Sequence, residues 1–158
     1  MSGSAQAGLD GAASAELQEA LRESEENYRT IFELASDAMF VHDSETGEIV
    51  DANRQACELL GCTREELQGS GLLRLTTDEA PYDTEHVWAL IRKAAEGEPQ
   101  RFEWLTRRVG KPFWVEVKLH RITIGGRGRV LGSVRDITER KEAENALRRA
   151  RDELERAV

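Results

Sequence analysis

The stretch Asp51–Gly69, DANRQACELLGCTREELQG, constrains this chain more than any other, because two helix starts and two helix stops fall within one short segment. Asn53 reads as an N-cap, its side-chain oxygen accepting an amide proton that a helix start leaves unpaired. Gly61 then ends that helix by taking the left-handed conformation. Thr63 and Glu66 make a capping box for a second helix, which Gly69 is expected to end. Between the stops, Ala56, Leu59, Leu60 and Leu67 supply an apolar face.

Strands flank this pair of helices. Ala38–Asp43 reads as a buried strand, Ser44–Gly47 as a turn and Glu48–Ala52 as the second arm of a hairpin. Beyond the segment, Leu72–Thr76 forms one further helical turn. Asp83 or Thr84 caps a helix over Glu85–Glu96, with Val87, Leu90, Ile91 and Ala94 on one face and Gly97 as its stop. Three strands follow, Gln100–Arg107, Phe113–Ile124 and Arg129–Asp136, joined by the turn sequences VGKP and GGRG. Two strands, several helices and three strands make an α+β fold: a five-stranded antiparallel sheet with short helices on one face.

Amphipathic helices are expected at both ends. Residues 1–14 are rich in Gly, Ser and Ala and read as a flexible leader. Residues 15–35 read as a helix with a heptad seam through Leu17, Leu21, Ser24, Tyr28, Ile31 and Ala35. Residues 139–158 read as a second helix, its seam running through Ala143, Leu147, Ala150, Leu154 and Ala157. Six acidic and six basic side chains flank that second seam and can pair between helices to set register. The domain proper is then 36–138. Leu17, Leu21, Tyr28, Leu147 and Leu154 are the expected contacts of a homodimer.

Composition narrows the function classes. A net charge of −8 argues against a nucleic-acid partner, which needs a clustered basic surface. No apolar run approaches the roughly 20 residues of a membrane span, and the N-terminus lacks the features of a secretory signal, so a cytoplasmic location is expected. Cys57 and Cys62 lack the spacing of a metal knuckle or a redox pair and read as reduced, partly buried thiols. No metal site is expected. His42, His86 and His120, the three histidines, fall on separate elements with no nucleophile-and-base pattern, so the chain does not read as an enzyme.

The pattern Asn-x-x-Ala-x-x-x-Leu-Gly-x-[Ser/Thr]-x-Glu-Glu-Leu-x-Gly from Asn53, the hairpin at Gly110 and the terminal Asp136-Ile137-Thr138 together resemble the PAS domains, small sensory and dimerisation modules. The resemblance covers about Tyr28 to Thr138. One departure is Val109, where many members carry Asp before the hairpin glycine. By resemblance to flavin-binding relatives, Phe40, His42, Val115, Val117, Leu119 and Val134 face inward on the sheet, and Leu60, Leu72, Leu75 and Leu90 close the other side. These ten residues form the expected ligand pocket. His42 stands out, because a histidine at an inward position must find a hydrogen-bond partner, either a ligand or a neighbouring carbonyl or hydroxyl.

The resemblance also bears on cofactors. Flavin is disfavoured: Cys57 lies too early for the adduct-forming cysteine, and Val134 and Val115 stand where flavin binders carry Gln and Asn. Haem stays open, since PYDTEHVWALIRKAAEGEP resembles the helix that carries the axial histidine of oxygen sensors, with His86 at the corresponding place. Thr106 or Arg107 is nearest to the gas-stabilising arginine. No cofactor is the leading expectation. The resemblance implies a module that couples a small-molecule or partner signal to an output domain, such as a histidine kinase, through its C-terminal helix. Asp136 and Thr138 are the expected junction. The alternatives are a haem-based gas or redox sensor and a ligand-free dimerisation scaffold.

Overall fold

The structure, a computed structural model, describes residues 3–108 and 110–157. It divides into two units at Ala35 and Ser36. The first is a single helix, α1 (Gly3–Leu34). The leader expected to be flexible at 1–14 is therefore helical from Gly3 onward. Ala12, Ala13 and Ala15 have the highest helix propensity of any residue, which outweighs the Gly and Ser around them. Leu17, Leu21, Ile31 and Leu34 are exposed on this helix, and the rings of Tyr28 and Phe32 stack one turn apart at 5.4 Å.

The second unit contains strands β1 (Ala38–Asp43), β2 (Ile49–Ala52), β3 (Gln100–Arg108), β4 (Lys111–Ile124) and β5 (Arg127–Asp136). Between β2 and β3 lie α2 (Arg54–Leu60), α3 (Arg64–Ser70), a 3-10 turn (Gly71–Arg74) and α4 (Thr84–Ala95). The last element is α5 (Thr138–Ala157). The five strands form one antiparallel sheet in the order β2-β1-β5-β4-β3. The chain thus places its first and last strands side by side at the centre.

Local chemistry explains the connections. Asn53 caps α2 by accepting from the Ala56 amide, and Gly61 closes it in the left-handed region at φ 68°. Asn53 does more than cap. Its Oδ1 also accepts from Met39 N, and its Nδ2 donates to Asp37 O, so the fully buried side chain ties the start of α2 to β1. Thr63 and Glu66 form the capping box, each bonding the other's backbone amide. Gly69 does not end α3: the helix continues through Ser70 into the 3-10 turn, and Gly69 keeps a backbone outside the left-handed region. Of the two caps considered for α4, Asp83 is the one used. The β4–β5 turn is made by Gly125 and Gly126, both at positive φ as a tight hairpin requires. Val109, the residue at which this chain departs from the family pattern, lies outside the described residues.

Alternation sends one row of each strand inward. Across the sheet, Phe40 pairs with Gly132 and Gly132 with Leu119, while Ala38, Val134, Val117 and Phe102 form the next row. Val87, Ile91 and Ala94 of α4 are buried against the β3–β4–β5 side, and Ala56, Leu60 and Leu67 against β1 and β2. Each fully buried Ile, Leu or Phe stabilises the fold by about 1.5–3 kcal/mol relative to exposure, so this layer holds the short helices in place.

Candidate functional site: an internal cavity with one polar wall

Between sheet and helices lies a cavity of about 40 Å³. Phe40 and His42 of β1, Val115, Val117 and Leu119 of β4 and Val134 of β5 line it, as does Leu60 from α2 and Leu75 after the 3-10 turn. Eight of the ten expected pocket residues therefore meet here. Leu72 and Leu90 do not reach the cavity and instead pack against the core beside it. Leu59, Val87, Ile91, Phe102, Trp104, Thr106 and Gly132 complete the lining and were not assigned to the pocket from the sequence. The register of the β3–β4 hairpin was the available signal for three of them: once Val115 and Val117 face inward, so do their partners Trp104 and Phe102, and Thr106 follows by alternation. Gly132 also carried a signal, since a glycine inside a strand marks a close approach. Lacking a side chain between Phe40 and Leu119, it lets the Leu119 and His42 side chains lie close over its backbone.

His42 is the distinctive wall residue. It is buried, and its Nδ1 lies 3.0 Å from the carbonyl oxygen of Gly47. Burial lowers its pKa to about 4, the Gly47 bond only partly opposing that shift, so the ring is neutral at pH 7. A carbonyl can only accept, which puts the single ring proton on Nδ1 and leaves Nε2 a bare acceptor. Nε2 faces the gap at Gly132, lying 3.5 Å from where a Cβ on that residue would sit.

The turn that presents the Gly47 carbonyl is held from several sides. Asp43 Oδ1 accepts from the amides of Glu45 and Thr46, and these two bonds hold its carboxyl below the usual carboxylate range. Its other oxygen pairs with Arg129, and Ser44 donates to Gly128 O. Gly47 has φ 75°, and a Cβ there would collide with the Trp88 ring of α4. Only glycine fits this position, on both backbone and steric grounds. Arg92 in turn stacks over Trp88 at 4.9 Å.

The cavity's other polar groups face away from a ligand. Trp104 Nε1 and Thr106 Oγ1 both donate to Leu75 O, at 2.9 and 3.2 Å. A wider, open and polar groove that includes Asp37, Glu58 and Asp136 shares Leu59 and Val134 with the cavity, so a thin apolar wall separates the two.

His86 does not belong to this site. It is exposed in the first turn of α4, where its Nδ1 bonds Asp83, and it is absent from the cavity lining. The adjacent Val87 is buried instead, because the cap at Asp83 sets the rotation of the helix. These residues do not fit haem: the candidate axial ligand points away from the cavity, and the cavity is far smaller than a porphyrin. A flavin–thiol adduct fares no better, since neither Cys57 nor Cys62 lines the cavity and both pack partly buried beside the β1–α2 core. Among the described residues no cluster of His, Cys, Asp or Glu could hold a metal ion, and no helix is long and apolar enough to cross a membrane.

The junction with α5 lies at the end of β5 and on the outer side of β3. Asp136 Oδ1 accepts from Thr138 N at 2.9 Å and from Thr138 Oγ1 at 2.5 Å. Asp136 thus reaches the start of the helix from the strand end and ties Thr138 to it. Ile137 N donates to Trp114 O. Glu103, on β3 between Phe102 and Trp104, holds Arg140 at 2.7 Å and Lys141 at 2.6 Å. Lys141 also lies over the Trp114 ring. Farther along α5, no residue is buried, and Leu147 and Leu154 are 74% and 69% exposed.

Comparison with known proteins agrees with this architecture. The model of the PAS fold family matches residues 26–137. A methyl sulfide methyltransferase-associated sensor from Methanosarcina acetivorans is 31% identical over 145 residues, covering 89% of this chain; the chain spans only 14% of that protein's length. The PAS domain of an HTR-like protein from Haloarcula marismortui superposes with a TM-score of 0.64 at 28% identity, covering 78% of this chain and 99% of that one. A domain of a sensory box sensor histidine kinase/response regulator from Geobacter sulfurreducens gives 0.61 at 30% identity, covering 73% and 96%.

Proposed function

The chain belongs to the PAS fold family, non-catalytic modules of sensing and signal transduction, and from that premise we propose that it couples occupancy of its internal cavity to the packing of α5 and so to an output domain such as a kinase. The observation that carries this reading is the alternation on β3 together with the course of β5. Phe102 and Trp104 line the cavity while Glu103 between them holds α5, and β5 runs from Gly132 and Val134 on the cavity to Asp136 at the helix start. A ligand that moves these strands moves the groups that anchor the helix, Glu103 on the opposite face of β3 and Asp136 farther along the cavity face of β5. It can do so only through a difference in affinity for the two packings. The exposed seams at Leu17 and Leu21 and at Leu147 and Leu154 suit a homodimer that carries the change along paired helices.

Asp136→Ala in a fusion of this module to a reporter kinase tests the coupling. Signal dependence is expected to vanish while the melting temperature of the core changes little. Equal loss of thermal stability and signalling would show that Asp136 serves folding and not transmission. A ligand-free dimerisation scaffold is the second reading, favoured by the exposed leucines of α5; native mass spectrometry of the purified dimer distinguishes them by bound mass.

A further inference from the structure

We infer that the cavity selects small neutral molecules that donate a hydrogen bond, of the size of short-chain alcohols, and discriminates against isosteres that can only accept one. This rests on the proposed role of the cavity as the ligand site and concerns which chemistry it takes.

Size sets the first limit. A single water needs roughly 10–15 Å³ of such space, so the 40 Å³ here corresponds to about three non-hydrogen atoms. Polarity sets the second. The N–H of Trp104 and the O–H of Thr106 are both engaged at Leu75 O, so no side-chain donor points into the space. His42 Nε2 presents an acceptor to it. An alcohol can donate to Nε2 and lay its carbon atoms against Phe40, Val117 and Leu119. A ketone or ether oxygen of the same size finds no donor there and loses its hydration without replacement. Charged solutes are excluded more strongly, since no counter-charge lines the cavity.

The acceptor character of Nε2 is built in. Moving the proton to Nε2 would set the Nδ1 lone pair against the Gly47 carbonyl. The turn cannot retreat from that clash, because Asp43 binds it from one side and Trp88 covers Gly47 from the other. The β1–β2 turn therefore fixes the tautomer, and the tautomer sets the preference.

Ethanol and dimethyl ether are isomers of nearly equal volume that differ in one donor, and xenon fills an apolar cavity without any hydrogen bond. Titration of the full chain, labelled with ¹⁵N, with each of the three is followed through the His42 ring nitrogens and the Trp104 indole. Ethanol is expected to bind at least about tenfold more tightly than dimethyl ether and to shift Nε2, the ratio that one hydrogen bond to a buried acceptor supplies. That ratio falls toward one in His42→Leu. It does so also in Gly132→Ala, whose methyl sits against Nε2 and asks Leu119 Cδ2, a flexible side-chain end, to give by a few tenths of an ångström, so the test survives if His42→Leu does not fold. Xenon binding with equal affinity for the two isomers overturns the donor preference and leaves the cavity reading standing. Failure of all three to bind overturns the cavity reading itself.

Discussion

Acidification from pH 7.5 to 4.5 protonates His42 in the unfolded chain well before it does so in the folded one. The ordinary histidine value is 6.5, whereas the folded-state value is about 4 because the ring is buried among apolar side chains. A folded-state pKa below the unfolded one means that the unfolded chain binds the extra proton, so stability falls as the pH falls through this window. The effect is absent above about pH 7.5 and complete below about pH 3. The gap of about 2.5 pH units amounts to roughly 3.4 kcal/mol at about 1.4 kcal/mol per unit, of which ~2.5 kcal/mol has been lost by pH 4.5. That is a large share of the stability of an ordinary small domain. Urea denaturation at half-unit pH intervals, read by fluorescence of Trp88 and Trp104, measures it. His42→Asn supplies the reference, since the asparagine amide stands where Nδ1 does and can still donate to Gly47 O but does not titrate, and the carboxylates and the other two histidines cancel in the difference. The wild-type curve is expected to fall more steeply than the variant curve between pH 6.5 and 4.5. Parallel curves would refute the buried, neutral state of His42 and with it the bare acceptor on the cavity wall.

Two further perturbations test the frame around the site. Asn53→Ala removes the cap of α2 and leaves Met39 N without its acceptor in a buried position, so a loss of about 3 kcal/mol is expected in urea denaturation; a loss under about 1 kcal/mol would mean that the link from α2 to β1 is dispensable. Glu103→Gln weakens the hold on Arg140 and Lys141, and amide exchange in the first turn of α5 is expected to quicken while exchange in β4 and β5 stays unchanged. Unaltered exchange at Lys141 would remove Glu103 from the account of helix anchoring.

The order of elements was legible in the sequence because each boundary carries its own local chemistry. Asn53, Gly61 and the Thr63–Glu66 box act over three or four residues, and β1 runs over Ala38–Asp43 as the pattern predicts. Resemblance to flavin-binding relatives, consistent with alternation along β1 and β4, likewise pointed to Phe40, His42, Val115, Val117 and Leu119 on the cavity wall. Where local rules competed, the sequence misled: alanine propensity carried α1 back to Gly3, and Gly69, permitted but not required to adopt a left-handed turn, stayed within α3.

His86 and His42 mark the division between the two kinds of information. Family pattern makes His86 a candidate haem ligand, yet its direction depends on the rotation of α4, which the Asp83 cap and the burial of Val87 and Ile91 decide together. That His42 needs a hydrogen-bond partner follows from the sequence, as does the possibility that a carbonyl supplies it. Which carbonyl, which ring nitrogen, and what the other nitrogen faces depend on the Gly47 turn, Trp88 across it and the gap at Gly132 in the adjacent strand. These groups lie far apart in the chain and meet only when the sheet pairs β1 with β5 and α4 packs on the turn. Short-range bonding and periodicity thus determined the elements and the faces they bury, while the polarity and size of the cavity arose only where those faces met.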